Sequence, residues 1–318
     1  MSSHSSTVRG RLAPSPTGAL HLGNVRSFVL TWLLARKRGG WIELRIEDLD
    51  APRVREGAVE GLLDDLAWLG LDWDAGPRYQ AGRVEEFRSR LQRLAEAGLA
   101  YPCICTRRDI ESAASAPHAG DEGPIYPGTC RGRFRTVAQA QEASADGRVA
   151  WRFAIPEGSV VSWQDRVAGA QSYQVAERLG DFVIWKKDDE PAYQLAVVVD
   201  DGLVAINQVV RGDDLLPSAA RQILLHEALG QQVPEWWHLP LVLDASGKRM
   251  AKRTGDDTLQ SLRAAGHSAS QVLQWVAAVS GLESACRVQT AADLLPGFDP
   301  DALPREAVTW HGSADLPR

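Results

Sequence analysis

The stretch RLAPSPTGALHLGN, Arg11 to Asn24, decides how this chain is read. Prolines at 14 and 16 stiffen the backbone, and glycines at 18 and 23 let another group approach it closely. Residues 7–13 read as a short strand entering the turn, and the residues after it carry apolar side chains at helical spacing. A helix that starts in such a turn aims its unpaired N–H groups and positive dipole end into it, which suits a phosphate. His21 can donate to a phosphate oxygen there. The stretch is neither a Walker A loop nor a G-x-G-x-x-G fingerprint, and by itself it fits a purely structural turn equally well.

Working outward, HLGNVRSFVLTWLLARKRGG reads as a helix with basic residues in its last turn and Gly39-Gly40 as its stop. WIELRIED (41–48) alternates apolar and polar residues and reads as a strand, and 55–71 and 84–98 read as amphipathic helices. This order predicts a parallel α/β sheet. Between about 100 and 180 the texture changes to cysteines, an Ala/Gly/Pro-rich loop and short strand-like runs, which predicts an inserted subdomain. The α/β pattern then resumes. DFVIWKK, YQLAVVVDD and INQVVRG read as strands, LLPSAARQILLHEALG and SASQVLQWVAAVSGL as helices.

With 318 residues the chain can bury a large core, and its 44% apolar and 24% charged residues are ordinary for a globular protein. No apolar run suggests a membrane span, and the polar N-terminus lacks a secretory signal, so a cytoplasmic, monomeric enzyme is expected. A formal charge of −6 argues against wholesale coating of nucleic acid but leaves room for a local basic face.

Two further motifs carry chemistry. Lys248, Arg249, Lys252 and Arg253 crowd a loop that begins at Gly247, with Met250 and Ala251 between them. Such a loop either rests in solvent or folds over a polyphosphate and neutralises its charge. Cys103, Cys105, Tyr126 and Cys130 bring three thiols and a phenol within one short span. They read either as a zinc site, with His118 as an alternative fourth ligand, or as merely buried cysteines, since C-x-C is tight and tyrosine is an uncommon ligand. Cys286 stands apart and reads as a core residue.

The turn and the basic loop together resemble the class I aminoacyl-tRNA synthetases of the glutamyl/glutaminyl branch. HLGN stands at the place of their HIGH motif and RMAKR at that of their KMSKS loop, and LRIEDLD (44–50), LGLDWD (69–74), YQLAVVVDD (193–201) and VVRGDDLL (209–216) match in order. About 65 residues follow the basic loop, too few for anticodon-reading domains, so the chain resembles most the shortened, queuosine-modifying subfamily.

The resemblance implies substrates and sites. Members of that subfamily activate L-glutamate with ATP and Mg²⁺ and transfer it to queuosine in the anticodon loop of tRNA(Asp). It implies Arg11, Ala13, Pro14, Ser15, Glu47, Tyr193 and Arg211 as the glutamate pocket, with His21, Gly23, Asn24, Arg249, Met250 and Lys252 toward ATP. His21, Gly23 and Lys252 are the expected catalytic residues. It also implies one structural Zn²⁺ on Cys103, Cys105, Tyr126 and Cys130. Asn24, Arg249 and Ala251 depart from the family's commonest residues at their positions.

The expectation is therefore a Rossmann-like α/β catalytic domain over 1–240, an insertion at about 100–180 with the zinc site, and a short helical region over 241–318. Competing readings are a glutamyl-tRNA synthetase fragment charging a tRNA 3′ end, a catalytically silent glutamate- or adenylate-binding paralogue, and another nucleotidyl-transfer enzyme on the same fold.

Overall fold

A computed structural model of the chain describes residues 7–113, 124–250, 258–282 and 288–317. The first half of the sheet is built by β1 (Arg9–Leu12), α1 (Leu22–Arg36), β2 (Trp41–Ile46), α2 (Ala58–Trp68), β3 (Ala75–Tyr79) and α3 (Val84–Glu96). The three strands run parallel in the order β1-β2-β3, with Arg11 opposite Glu43 and Leu12 opposite Leu44.

The chain then leaves the sheet through β4 (Ala100–Cys103), α4 (Arg107–Ala113), α5 (Val137–Ala143), β5 (Ala150–Phe153), β6 (Val160–Asp165), β7 (Gly169–Gln174), α6 (Val175–Arg178) and β8 (Phe182–Trp185). Here β4, β5 and β8 form an antiparallel sheet, and β6 and β7 form a hairpin.

It returns through α7 (Tyr193–Leu203), β9 (Gln208–Gly212), α8 (Leu216–Ala228) and β10 (Glu235–Leu239). Strands β9 and β10 pair in parallel, and the Asn207 amide donates to the Arg9 carbonyl at 3.0 Å, which sets β9 beside β1. The remaining elements are β11 (Val242–Leu243), α9 (Leu259–Ala264), α10 (Ala269–Val279) and β12 (Val308–Thr309). Pairing of β12 with β11 brings the last residues back, so Leu294, Phe298 and Trp310 share one apolar cluster with Leu12 and α1. Among the described residues no helix is long and apolar enough to cross a membrane.

One expectation fails. The run YQLAVVVDD is not a strand but the helix α7. Its three consecutive valines favour a strand by propensity, yet Leu195 to Asp201 are all buried, as in a helix packed on every side. Tertiary packing against α3 and α8 overrides the local preference. Tyr193 thus opens a helix rather than ending a strand.

Alternation along the strands sorts the sheet into two unlike faces. Leu12, Ile42, Leu44, Ile46, Val210, Trp237 and Leu239 join the apolar cluster that contains α1 and α10. The opposite face carries Val209 and Trp236 into a second cluster with α7 and α8. Arg11, Glu43, Arg45, Glu47, Arg211 and His238 have the same parity on their strands as that second face. The polar letters of WIELRIED therefore do not point to water: Glu43 and Arg45 are at most 1% exposed.

Candidate active site

A cleft opens at the C-terminal ends of β1, β2 and β9, where ligands bind in sheets of this kind. Arg11, Ala13, Pro14 and Ser15 line it from the opening turn, Glu47 from the end of β2, and Tyr193 and Arg211 from α7 and β9. His21, Gly23 and Asn24 line its other side, with Arg249 at the rim. The turn is tied to the sheet by the Glu47 amide, which donates to the Pro14 carbonyl at 3.0 Å. Residues far apart in sequence thus line one cleft. Met250 does not line the cleft: it is buried in the apolar cluster, and its amide donates to the Val242 carbonyl. Lys252 and Ala251, like His118 and Cys286, lie outside the described residues.

The side of the cleft at the start of α1 has a specific internal order. His21 caps α1, and its Nδ1 accepts the Asn24 amide N–H at 3.3 Å. In a neutral ring the proton then sits on Nε2, which makes that nitrogen the donor. A Cβ at Gly23 would meet the His21 ring at 3.0 Å, so glycine there lets the imidazole fold back over the helix end. The Asn24 side-chain oxygen is buried with no hydrogen-bond partner among the described residues. Arg249 Nη1 lies 2.5 Å from Asp214 Oδ2, which anchors the start of the basic loop.

The opposite side of the cleft is a buried charge array. Arg11 donates from Nη1 to the Val210 carbonyl at 3.2 Å, with its Nε 3.8 Å from Asp201 Oδ1. Arg45, fully buried, donates to Asp201 at 2.6 Å and to Glu47 at 3.2 Å. Burial pushes the Glu47 carboxyl above the usual carboxylate range, against the pull of Arg45 and Arg11. Arg211 donates to His238 Nε2 at 3.0 Å, to Gln222 Oε1 at 2.8 Å and to the Leu215 carbonyl at 3.3 Å. Tyr193, 41% exposed, stands at the mouth. Two guanidiniums and one carboxylate facing a common space complement a ligand with two carboxylates and an ammonium.

Sequence reasoning missed the residues behind this array: Arg45, Asp201, His238, Gln222 and Asp165. The alternation in β2 signalled Arg45. Nothing local signals the others, because their partners come from distant elements.

In the insertion, Cys103, Cys105 and Cys130 place their Sγ atoms within 4.8 Å of one another. The Tyr126 hydroxyl lies 3.4 Å from Cys103 Sγ and 3.6 Å from Cys105 Sγ, and Cys105 Sγ lies 3.6 Å from Cys130 Sγ. Tetrahedral zinc with bonds of about 2.3 Å to sulfur separates its ligands by roughly 3.8 Å, so these donors fit the ion. Burial pushes the Cys105 thiol up to about 11, whereas at Cys130 burial is outweighed by hydrogen bonds from the Ile104 backbone and Tyr126, which hold that thiol below its ordinary value.

The fold and the cleft define a nucleotide-dependent enzyme of the class I synthetase type, and comparison with known proteins agrees. The family described as tRNA synthetases class I (E and Q), catalytic domain, matches residues 7–281, and the chain belongs to it. Such enzymes act on an amino acid, ATP with Mg²⁺ and tRNA. Among similar proteins is the glutamyl-Q tRNA(Asp) synthetase of Symbiobacterium thermophilum, 46% identical over 94% of this chain and 94% of that one. The protein of the same name from Nitratidesulfovibrio vulgaris is 42% identical over 98% of this chain and 94% of its own length. A glutamate tRNA ligase from Elizabethkingia meningosepticum, solved in complex with its amino acid, superposes with a TM-score of 0.83 at 26% identity, covering 98% of this chain and 68% of that one.

Proposed function

We propose that the chain activates L-glutamate with ATP and Mg²⁺ to glutamyl-adenylate and transfers the glutamyl group to queuosine in the anticodon loop of tRNA(Asp). The observation that carries the first half is the cleft with Arg11, Arg211 and Glu47 on one side and the His21-capped helix end on the other. The second half rests on likeness to the full-length glutamyl-Q relatives.

In the first step the α-carboxylate of glutamate attacks the α-phosphorus of ATP, and pyrophosphate leaves. No protein nucleophile is required. Arg11 and Arg211 hold carboxylate groups and Glu47 the ammonium, while Nε2–H of His21 and the N–H groups opening α1 at Gly23 face the phosphates, with Asn24, Arg249 and Lys252 as further nucleotide contacts. Catalysis is then alignment and charge neutralisation. In the second step a hydroxyl of the queuosine cyclopentene-diol attacks the acyl carbon of the mixed anhydride, and AMP departs. Glutamine is rejected because its amide leaves buried guanidiniums underpaired. Zinc on Cys103, Cys105, Tyr126 and Cys130 would cross-link the insertion and take no part in the chemistry.

The test is glutamate-dependent exchange of pyrophosphate into ATP without tRNA, followed by labelled glutamate offered to tRNA(Asp) with and without queuosine. Exchange, and label only on the queuosine-bearing tRNA, are expected. No exchange would point to a silent paralogue, and label on the 3′ end of tRNA(Glu) to an ordinary glutamyl-tRNA synthetase activity. Zinc content unchanged in Cys105→Ser would remove the metal assignment.

A further inference from the structure

Arg211 is not simply buried beside the cleft; it is aimed by a chain of side chains from three separate elements. Its Nε donates to Nε2 of His238 at 3.0 Å, and Nδ1 of His238 lies 2.5 Å from Oδ2 of Asp165. His238 and Asp165 are each 1% exposed. An arginine Nε can only donate, so Nε2 of His238 must present a lone pair. The ring proton therefore sits on Nδ1 and is given to Asp165. A doubly protonated ring would set N–H against N–H at Arg211, and burial holds His238 below its ordinary value accordingly.

Asp165 is itself locked. Its Oδ1 accepts three backbone amides, from Ala168 at 2.9 Å, Val167 at 3.0 Å and His238 at 3.1 Å, leaving Oδ2 for the imidazole alone. Burial would raise this carboxyl, but the hydrogen bonds from His238 and those amides keep it ionised. The Trp236 ring stacks on His238 and lies under the Arg211 guanidinium, 4.8 Å from it, which fixes the plane of both.

We propose that Asp165 and His238 are positioning residues that set substrate selectivity: Asp165 selects the Nδ1–H tautomer of His238, whose Nε2 lone pair holds Nε of Arg211, so that the one N–H left on each of Nη1 and Nη2, beyond those given to Gln222 and Leu215, is turned toward the ligand's carboxylate. This rests on the reading of Arg211 as a carboxylate-binding residue. Asp165 ends β6, in the insertion, so the aim of the pocket is set partly from outside the parallel sheet.

The decisive variant is Asp165→Asn. The three amides hold the Asn oxygen at the Oδ1 position, so its NH₂ faces His238 and drives the ring to the Nε2–H tautomer, against Arg211. In pyrophosphate exchange with the full chain, the glutamate KM should rise about tenfold or more while the ATP KM stays within about twofold, and discrimination against glutamine should shrink. His238→Gln supplies an amide oxygen near Nε2, so it should keep most glutamate affinity. Ring ¹⁵N shifts should report Nδ1–H in the native protein and Nε2–H in Asp165→Asn.

Arg211→Gln separates this idea from the one beneath it. A raised glutamate KM there with none in folded Asp165→Asn would overturn the positioning role alone, whereas an unchanged KM in Arg211→Gln would overturn both. An Nε2–H ring in the native protein, or equal increases in both KM values with a lowered melting temperature, would also overturn the proposal.

Discussion

The two faces of the parallel sheet are made by the same strands yet do opposite work. Toward α1 and α10, β1, β2, β9 and β10 present leucine, isoleucine, valine and tryptophan to one continuous apolar cluster. Toward α7 they present Arg11, Arg45, Glu47, Arg211 and His238, tied to each other and to Asp201 and Asp165. The first face contributes stability in rough proportion to area removed from water. Buried ion pairs contribute little net stability against their desolvation, but once formed they tolerate no missing member. One face holds the molecule together; the other stores orientation for a ligand.

Substitutions on facing positions of β2 should break this contrast most sharply. Arg45→Met leaves Asp201 and Glu47 without their shared cation and should cost about 3–5 kcal/mol in urea unfolding, while also raising the glutamate KM. Leu44→Ala, one residue away on the other face, should cost about 3 kcal/mol and leave the glutamate KM of the folded enzyme unchanged. If Leu44→Ala also altered that KM, the two faces would not be separable.

Arg11→Leu should lower kcat/KM for glutamate by roughly a hundredfold, the value of one charge-assisted bond of about 2–3 kcal/mol, with a smaller change in stability. Gly23→Ala places a methyl against the His21 ring and should slow exchange by about tenfold through kcat, with little change in the glutamate KM. The mildest probe is pH. Because burial raises Glu47, lowering the pH neutralises it before ordinary carboxyls, so kcat/KM for glutamate should fall along an acid limb centred above the ordinary carboxylate range. Above that limb Glu47 is ionised and the profile flat. An acid limb unmoved in Glu47→Gln would separate it from ammonium binding.

Much of this was legible in the chain. The Pro-Gly turn before a helical pattern located the cleft, and the alternation of WIELRIED placed β2. What misled was α7: a valine-rich run resembles a strand until one knows that helices pack against it on several sides. What stayed hidden were the supports. Local spacing says that Arg211 sits on a strand, but not that a histidine 27 residues later and an aspartate 46 residues earlier would meet it, since that pairing is made by sheet register and by the return of the insertion. Nor does the pattern reveal that Met250 turns inward while Arg249 stays at the rim.

The location of Asp165 bears on modularity. Residues 100–180 look like an interchangeable arm, held by their own sheet and their own cysteine cluster, but one carboxylate at the end of β6 belongs in effect to the main sheet. An arm exchanged between related chains would carry its own sheet and cysteine cluster across intact, yet leave His238 without an acceptor unless an equivalent aspartate came with it. The arm and the Arg211 side of the cleft are thus constrained to be inherited, or engineered, as one unit.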